Sequence, residues 1–384
     1  MEKKRIGIIG GGISGTCLGY HLSLYDNAEV IVFEKDTIGG ASTAKSAGTV
    51  CLFDDSLKNW DVRLYGFESY LKMEEEEKGS AGFDKTGTLV VATNEQVEAT
   101  IKTGIALAKA AGYNGEYITD KDRIKEILPD ISTDNILGAG YTADDGYFDG
   151  TMISNTYAKK MQKNGGVIKT GVKVTEVVVK DNKIKGLKTS EGEEYEFDYV
   201  VDCTGPWSKF TGELVGLDVP IWHTKAEAFF LCPPGKKLGY TFPVLKYPAF
   251  YALRAGDNIF ICKSHLSMDL NNPMHAGQWD PDKLPATGGT DDYFIDFLLD
   301  QLECRVPGIV DSGLVSSWLS YRAEPKDFLP ILGETPVEGY VLATGYGGNG
   351  VIEAPAASRD LAKFIMRGEK TPLLEDWAFE RLLK

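Results

Sequence analysis

The sequence predicts a mixed α/β protein with one parallel β-sheet and a second, mainly antiparallel sheet. The parallel sheet is predicted because buried-type strands run into glycine-rich turns and then helices, near both the start and the end of the chain. Aromatic-rich strands within residues 220–322 predict the antiparallel sheet. A chain of 384 residues is long enough for two or three domains.

Composition and charge exclude several classes of protein. With 43% hydrophobic and 11% aromatic residues, the chain can build a large core and is not globally disordered. The 41 Lys and Arg residues against 56 Asp and Glu residues give a net charge of −15, which disfavours nucleic acids and anionic membranes as partners. No stretch resembles a secretory signal or a transmembrane helix, so we expect a cytoplasmic protein.

The cysteines and histidines do not predict a metal site or a disulfide framework. The six cysteines contain no C-x-x-C pair, and the four histidines contain no H-x-x-x-H pair. Zinc sites and thioredoxin-type redox pairs need such close spacing. We therefore expect no metal, and we expect the cysteines to be small buried hydrophobic residues.

The first forty residues carry the clearest motif. A buried-type strand precedes residues 10–15, which fit the pattern G-x-G-x-x-G, and a helix and a second strand follow before Glu34. This order predicts a Rossmann-like unit that binds a dinucleotide. Gly10 would permit the tight turn, Gly12 would let the backbone approach a pyrophosphate, and Gly15 would let the helix pack closely. The helix N-terminus would face the phosphates, and Glu34 would accept hydrogen bonds from a ribose.

Later segments again show glycine-rich loops and the α/β pattern. The small residues of 39–48 suggest backbone passing close to a flat ligand. Residues 151–215 have the pattern of a second α/β unit. Residues 340–367 have the pattern of a strand, a glycine turn and a helix that begins at about Ala354. The α/β pattern is therefore interrupted and then resumed along the chain.

This alternation predicts a discontinuous domain. We expect residues 1–85, 145–215 and 323–384 to form the cofactor-binding domain. We expect residues 86–144 and 216–322 to form an α+β substrate domain that caps it.

Three motifs far apart in the sequence can be compared with a known family. They are the N-terminal fingerprint, the strand ending in Asp202-Cys203-Thr204-Gly205-Pro206-Trp207-Ser208, and the glycine turn and helix from Gly345 to Arg359. Together they resemble the FAD-dependent amine and amino-acid oxidoreductases, which include D-amino-acid oxidase, glycine oxidase and monomeric sarcosine oxidase. The resemblance spans nearly the whole chain.

The resemblance implies bound FAD. The attachment is expected to be non-covalent, because Leu319 stands where relatives with covalent flavin carry a cysteine. The residues expected to contact FAD are Gly10, Gly12, Ile13, Ser14, Gly15, Glu34, Lys35, Ala41, Ser42, Ser46, Ala47, Gly48, Val174, Thr204, Gly205, Trp207, Gly345, Gly347, Gly348, Asn349, Gly350 and Val351.

The resemblance also places three residues at the substrate. Arg322 falls where glycine oxidase carries a carboxylate-binding arginine, and a structural pair with Glu324 or Asp327 is the alternative. Tyr251 matches a tyrosine that lines the substrate pocket, and Lys263 resembles a lysine of monomeric sarcosine oxidase that promotes reaction with oxygen. A three-residue turn between their strands would place Tyr251 and Lys263 on one face. A two- or four-residue turn would place them on opposite faces.

The activity implied by the resemblance is oxidation of a small amine or amino acid, of the sarcosine, glycine or D-amino-acid type, to an imine by hydride transfer to flavin N5. Ile352 and Gly348 replace basic residues of other family members, so the carboxylate hypothesis depends on Arg322. The alternatives are an FAD dehydrogenase for a 2-hydroxy acid or glycerol phosphate, and a flavin-carrying subunit of a larger dehydrogenase complex. The electron acceptor, oxygen or another, and the oligomeric state stay open.

Overall fold

A computed structural model describes residues 3–53, 57–233, 238–263, 276–283, 292–309 and 311–383. Helices and strands are numbered in chain order. The α-helices are α1 (Ile13–Ser23), α2 (Trp60–Glu76), α3 (Glu95–Ala110), α4 (Lys121–Ile127), α5 (Gly150–Lys163), α6 (Ser208–Glu213), α7 (Asp292–Arg305), α8 (Gly350–Arg367) and α9 (Pro372–Asp376). No helix in these described ranges is long and apolar enough to cross a membrane.

The first large sheet has six strands in the order β19-β20-β12-β1-β2-β8, and only the edge strand β19 runs antiparallel to its neighbour. Its strands are β1 (Lys4–Ile9), β2 (Ala28–Glu34), β8 (Val167–Thr170), β12 (Tyr199–Asp202), β19 (Ile331–Glu334) and β20 (Tyr340–Thr344). Apolar residues of α1 and α8 pack against one face of the sheet. A ligand cleft is expected at the carboxyl edge of such a sheet, where the chain turns from strand into helix.

A small antiparallel sheet covers the other face of the parallel sheet. Its strands are β9 (Val174–Lys180), β10 (Lys183–Thr189) and β11 (Glu194–Glu196). Val177, Leu187 and Phe197 pack with Phe33 and Val200 of the parallel sheet in one buried cluster. The parallel sheet is therefore buried on both faces, which explains the continuous apolar runs of its strands.

The second large sheet has nine strands, and every pairing is antiparallel except that of β4 with β14. The strands are β4 (Thr88–Ala92), β5 (Glu116–Ile118), β6 (Gly138–Thr142), β13 (Ile221–Cys232), β14 (Val244–Lys246), β15 (Phe250–Ala255), β16 (Asn258–Lys263), β17 (Ala276–Gly277) and β18 (Gly313–Pro325). A separate two-stranded ribbon pairs β3 (Thr49–Val50) with β7 (Gly146–Tyr147). Residues from α4 and α7 pack on one face of the large sheet.

The predicted fold class is confirmed: a discontinuous Rossmann-like unit is combined with an α+β part whose sheet is mainly antiparallel. The strands of the parallel sheet come from the three segments predicted for the cofactor domain. Strand β18 belongs to the second sheet and continues to Pro325, past the predicted boundary at residue 322. The domain boundaries themselves stay a prediction.

Helix α8 begins earlier than the sequence predicts. It starts at Gly350 instead of Ala354, because the last glycine of the turn is already helical. Pro355 has no N–H to donate to the carbonyl of Val351, four residues earlier. The hydroxyl of the buried Tyr70 on α2 donates to that carbonyl instead. This hydrogen bond holds the first turn of α8 in place.

Candidate functional site

An open cleft runs from the carboxyl edge of the parallel sheet to one face of the second sheet. It encloses about 1500 Å³ of empty space, including its mouth. Every residue predicted to contact the cofactor lines it except Gly15, Gly48 and Asn349. Arg322 and Tyr251 line it as well. The structure therefore brings together residues from distant parts of the sequence.

The glycine turn at the end of β1 is packed too tightly for side chains. Gly10 has φ +104°, and a Cβ added there would lie 2.6 Å from the carbonyl oxygen of Cys203. A Cβ on Gly15 would overlap the carbonyl oxygen of Gly10. Gly12 is the N-cap residue of α1, and it has no side chain that could accept a hydrogen bond from the first turn. Thr43 Oγ1 accepts a hydrogen bond from the N–H of Ile13 at 3.2 Å. The positive end of α1 consequently faces the cleft.

Glu34 is held in place at the end of β2. One carboxylate oxygen accepts a hydrogen bond from the N–H of Gly11 at 2.7 Å, and the other from the N–H of Asp36 at 2.8 Å. A carboxylate oxygen can accept more than one hydrogen bond, so both oxygens keep capacity for ribose hydroxyls.

Lys35 and Trp207 line the cleft, and both contact the carboxylate of Asp282. The Lys35 ammonium lies 4.3 Å from the centre of a Trp207 ring and forms an ion pair with Asp282. The indole N–H of Trp207 donates to the same carboxylate at 2.8 Å. Asp282 comes from a 3₁₀ turn that follows β17, so this cluster connects the parallel-sheet region to the second-sheet region. Sequence reasoning did not find Asp282, because no local pattern marks it.

The hydroxyl of Thr204 is directed into a buried network. Asp202 accepts hydrogen bonds from the N–H and hydroxyl of Thr204, at 2.9 and 2.6 Å, and from the hydroxyls of Ser208 and Tyr340, both at 3.1 Å. Burial raises the pKa of Asp202, although these hydrogen bonds oppose the shift. The network fixes the turn after β12, where Gly205 and Trp207 reach the cleft.

The second glycine turn lies directly over side chains of β18. Gly345 and Gly347 have φ +75° and +52°. A Cβ on Gly347 would overlap the carboxylate of Glu324, and a Cβ on Gly348 would lie 3.5 Å from Arg322 Nη1. Helix α8 begins here with no side-chain cap, so a second helix N-terminus faces the cleft.

One face of the second sheet closes the cleft. Strand register places Tyr251 opposite Cys262, Cys262 opposite Ala228, and Ala228 opposite Trp318. Arg322 lies on the same face, with Nη2 at 3.8 Å from the sulfur of Cys262. Ala228 and Trp318 also line the cleft.

Glu324 and Asp327 are the two acidic residues that the sequence offers as structural partners of Arg322. Asp327 pairs with Arg381 at 2.7 Å. Among the described residues, no carboxylate lies within 4.0 Å of the Arg322 guanidinium. Glu324 is buried, and burial raises its pKa to about 7, while the positive charge of Arg322 opposes that rise. The guanidinium therefore faces the cleft without a close ion pair within this part of the chain.

Lys263 ends β16, and its side chain lies outside the described residues. The turn between β15 and β16 contains two residues, Gly256 and Asp257. The register pairs Tyr251 with Cys262 and Lys263 with Phe250, so Tyr251 and Lys263 occupy backbone positions on opposite faces. The role of Lys263 toward oxygen stays a prediction.

Three residues predicted to contact FAD, Gly15, Gly48 and Asn349, do not line the main cleft. Gly15 faces Gly10, as described above. Gly48 has φ +62°, and a Cβ there would overlap the carbonyl oxygen of Phe148. Gly48 and Asn349 line a smaller cavity beside the cleft.

Two polar residues of the 39–48 loop were missed. Thr43 accepts the hydrogen bond from the start of α1, and Lys45 Nζ donates to the carbonyl of Leu319 at 3.0 Å. Both line the cleft, and burial lowers the pKa of Lys45. The loop was recognised as close to a ligand, so its polar side chains could have been selected on the same grounds.

Comparison with known proteins decides the family. A family model described as DAO, FAD dependent oxidoreductase, matches residues 5–364. The chain belongs to this family of FAD-dependent oxidoreductases. It is 24% identical to glycine oxidase of Bacillus subtilis (strain 168), over 96% of this chain and 94% of that protein. It is also 24% identical to mitochondrial dimethylglycine dehydrogenase of Mus musculus, over 94% of this chain but 42% of that protein. The chain thus spans about two fifths of the first curated relatives it matches.

Solved structures of the DAO fold superpose on nearly the whole chain. L-proline dehydrogenase from P. horikoshii has a TM-score of 0.84 at 24% identity, covering 99% of this chain and 98% of that one. Glycine oxidase from Geobacillus kaustophilus has a TM-score of 0.78 at 22% identity, covering 98% and 99%. At these identities the likeness shows the fold.

FAD is the cofactor of the DAO family, and the cleft fits it. Glu34 offers acceptors for a ribose, and the start of α1 offers N–H groups for a pyrophosphate. Added Cβ atoms on Gly205 and Gly350 would meet no protein atom closer than 3.4 Å. The backbone at these two glycines is thus open to close approach by a ligand.

Asp145 is a buried acid that immediately precedes β7, the strand that pairs with β3. One of its oxygens accepts a hydrogen bond from the N–H of Leu52 at 2.8 Å, and the other has no hydrogen-bond partner within the described residues. Burial raises the pKa of Asp145 to about 7. Between about pH 4 and 7 the folded protein therefore keeps a proton that the unfolded chain has released.

Replacing Asp145 by asparagine should make stability less dependent on pH. Because the folded protein binds this proton and the unfolded chain does not, a rising pH favours unfolding. The free energy of unfolding of the wild type should fall by up to about 1.4 kcal/mol per pH unit through this window. Asparagine cannot ionise, so the stability of D145N relative to the wild type should increase from pH 5 to pH 8. Urea unfolding of both proteins at the two pH values, with the same FAD concentration, measures the difference.

The neighbouring Asp144 provides the control. Burial opposes the shift, but hydrogen bonds from Asn114 and the ion pair with Lys85 hold the pKa of Asp144 below its usual value. Because both pH values lie above that pKa, Asp144→Asn should lose nearly the same stability at pH 5 and pH 8; the difference is limited to the small contribution of the Asp144 charge to the pKa of Asp145. An equal effect of D145N at both pH values would contradict the assignment of a raised pKa.

Proposed function

We propose that this chain uses non-covalent FAD to oxidise a small amine or amino acid to an imine, which water then hydrolyses. The observation that supports this most is the Arg322 guanidinium, which lines the second-sheet wall of the cleft beside Tyr251. Relatives of the chain are named glycine oxidase and 4-methylaminobutanoate oxidase (formaldehyde-forming), and these names point to the same class of substrate.

The residues on the sheet face have distinct tasks in this proposal. Arg322 holds the α-carboxylate of the substrate with two parallel hydrogen bonds, because the planar guanidinium matches a carboxylate. The Tyr251 hydroxyl supplies a further hydrogen bond, and Trp318 with Ala228 forms an apolar wall that excludes water. When bound, FAD would supply the acceptor for one hydride, which carries both electrons of the oxidation. We assign no side chain as a general base, because positioning of the substrate supplies most of the catalysis.

The proposal is tested by the colour of the purified protein. Acid precipitation should release FAD into the supernatant, since Leu319 cannot form the covalent attachment. Under anaerobic conditions, an amino acid or an N-methyl amino acid from a panel should bleach the flavin absorbance. Bleaching by 2-hydroxy acids or glycerol phosphate alone would replace this proposal with the hydroxy-substrate alternative.

A flavin-carrying subunit is the second candidate function. It is favoured by a relative named pyruvate dehydrogenase phosphatase regulatory subunit, mitochondrial, of Mus musculus, which is 24% identical over 95% of this chain. Size-exclusion chromatography of the native protein from its source, followed by the same bleaching assay, separates the two. A partner required for bleaching would favour the subunit function.

A further inference from the structure

A second cavity adjoins the substrate end of the cleft. The two cavities share Arg322, Tyr251 and Gly348 in their linings. The other walls of the second cavity come from residues 46–49, from α2, from the start of α8 and from the turn between β14 and β15. A substrate bound at Arg322 could therefore extend directly into it.

Lys246 belongs to the same sheet face as the substrate residues. Strand register places it opposite Tyr251, which is itself opposite Cys262. Side chains of directly opposed residues project to the same face of a sheet. Lys246 thus extends the row of Tyr251 and Cys262 by one strand, and it lines the second cavity but not the main cleft.

Arg63 contributes a second cation from the opposite wall. It lies on α2, is half-buried, and donates from Nη2 to the carbonyl oxygen of Cys51 at 3.2 Å. This hydrogen bond helps to fix the direction of the guanidinium, and Arg63 is one of the residues that line the cavity. Tyr247 also lines the cavity, and its hydroxyl accepts a hydrogen bond at 3.3 Å from Arg305, which lies outside the lining.

The charge around this cavity is unusual for an acidic protein. Arg63, Lys246 and Arg322 line it, and its described lining contains no carboxylate, although the chain has a net charge of −15. Three buried acids act electrostatically with these cations: Asp145 with Lys246, Glu353 with Arg63, and Glu324 with Arg322. Burial raises the pKa of all three acids to about 7.

We infer that the second cavity binds a second oxyanion of the substrate, so that the substrate carries two acidic groups. One carboxylate is held by Arg322, and a carboxylate or phosphate is held by Arg63 and Lys246. This inference rests on the proposed function for the place of the first carboxylate. An anion bound in this cavity would be attracted by the three cations that line it.

The test is titration of the oxidised holoenzyme with dead-end ligands, followed by the flavin absorbance spectrum. The ligands are glutarate with two carboxylates, butyrate with one, and glycerol 3-phosphate against glycerol for the phosphate. Glutarate should bind at least about tenfold more tightly than butyrate, because it gains a charge-assisted contact. A matching gain for glycerol 3-phosphate over glycerol would identify phosphate as the second group.

Variants connect the preference to the cavity. Lys246→Gln and Arg63→Gln should each reduce the preference for glutarate over butyrate about tenfold while leaving butyrate binding unchanged. Lys246→Arg should restore most of it. Lys180→Gln removes an exposed lysine of β9 and should change the binding of neither glutarate nor butyrate. Equal binding of the two acids, or a preference that survives both cavity variants, would overturn the inference.

The outcomes also separate this inference from the proposed function. Bleaching by amino acids without any preference for a second acidic group would leave the function standing and refute the second binding site. A preference for dianions without bleaching by any amine would support the site and refute the amine-oxidising function.

Discussion

Replacing Gly15 with alanine is expected to leave the purified protein with little or no bound FAD. The added Cβ would overlap the carbonyl oxygen of Gly10, and no side-chain rotation can relieve a contact between two backbone-fixed atoms. Helix α1 would have to move away from β1, which shifts its N-terminal N–H groups from the phosphate position. We expect FAD affinity to fall at least about 100-fold, because positioning and packing are lost together. The ratio of flavin to protein absorbance, and reconstitution of apoprotein with FAD, measure it.

Gly313→Ala provides the matched control. Gly313 begins β18, does not have a positive φ, and a Cβ added there meets no atom within 4 Å. This variant should bind FAD like the wild type. Far-ultraviolet circular dichroism of both variants distinguishes lost cofactor from lost fold. Wild-type FAD affinity in G15A would show that the turn does not position the cofactor.

The parts of the site that sequence reasoning identified are those encoded locally. The glycine turn, α1, β2 and Glu34 lie within 30 consecutive residues, and each has a characteristic residue type. The turn from Gly345 to Gly350 could be identified for the same reason, because glycine spacing marks a close approach of backbone. Where a predicted contact depends on a short segment of backbone, the sequence was enough to place the segment at the cleft.

Residues that act through pairing between distant strands could not be found in this way. Lys246 joins the sheet face because β14 pairs with β15, and the hydropathy pattern does not encode that register. Asp282 reaches Trp207 only through the fold. The face occupied by Lys263 depended on a turn length that the sequence left open, and the two-residue turn decides it. Thr43 differs from these residues, because it belongs to the 39–48 loop, whose small residues already predict a close approach to a ligand.

Replacing Arg322 with alanine should sharply reduce the reaction with substrates that carry a carboxylate. Loss of a charge-assisted bidentate contact in a desolvated site costs about 2–4 kcal/mol, which is about 30- to 1,000-fold in kcat/KM. Amines without a carboxylate should be affected little, because they make no such contact. Stopped-flow measurement of anaerobic flavin reduction against substrate concentration separates the effect from reaction with the electron acceptor.

The Arg322→Ala protein is expected to remain folded. Burial already raises the pKa of Glu324 to about 7, and removal of the positive charge would raise it further, so the buried carboxyl becomes neutral instead of an unpaired charge. Arg322→Lys should recover part of the activity, because it restores the charge without the planar pair of donors. Arg123→Ala removes an exposed arginine that pairs with Glu116 and Glu126, and it should have no effect. Flavin reduction as fast as in the wild type at every concentration of the carboxylate substrate would assign Arg322 to the structure of the sheet, and the anchoring group would then have to be another cation of the cleft.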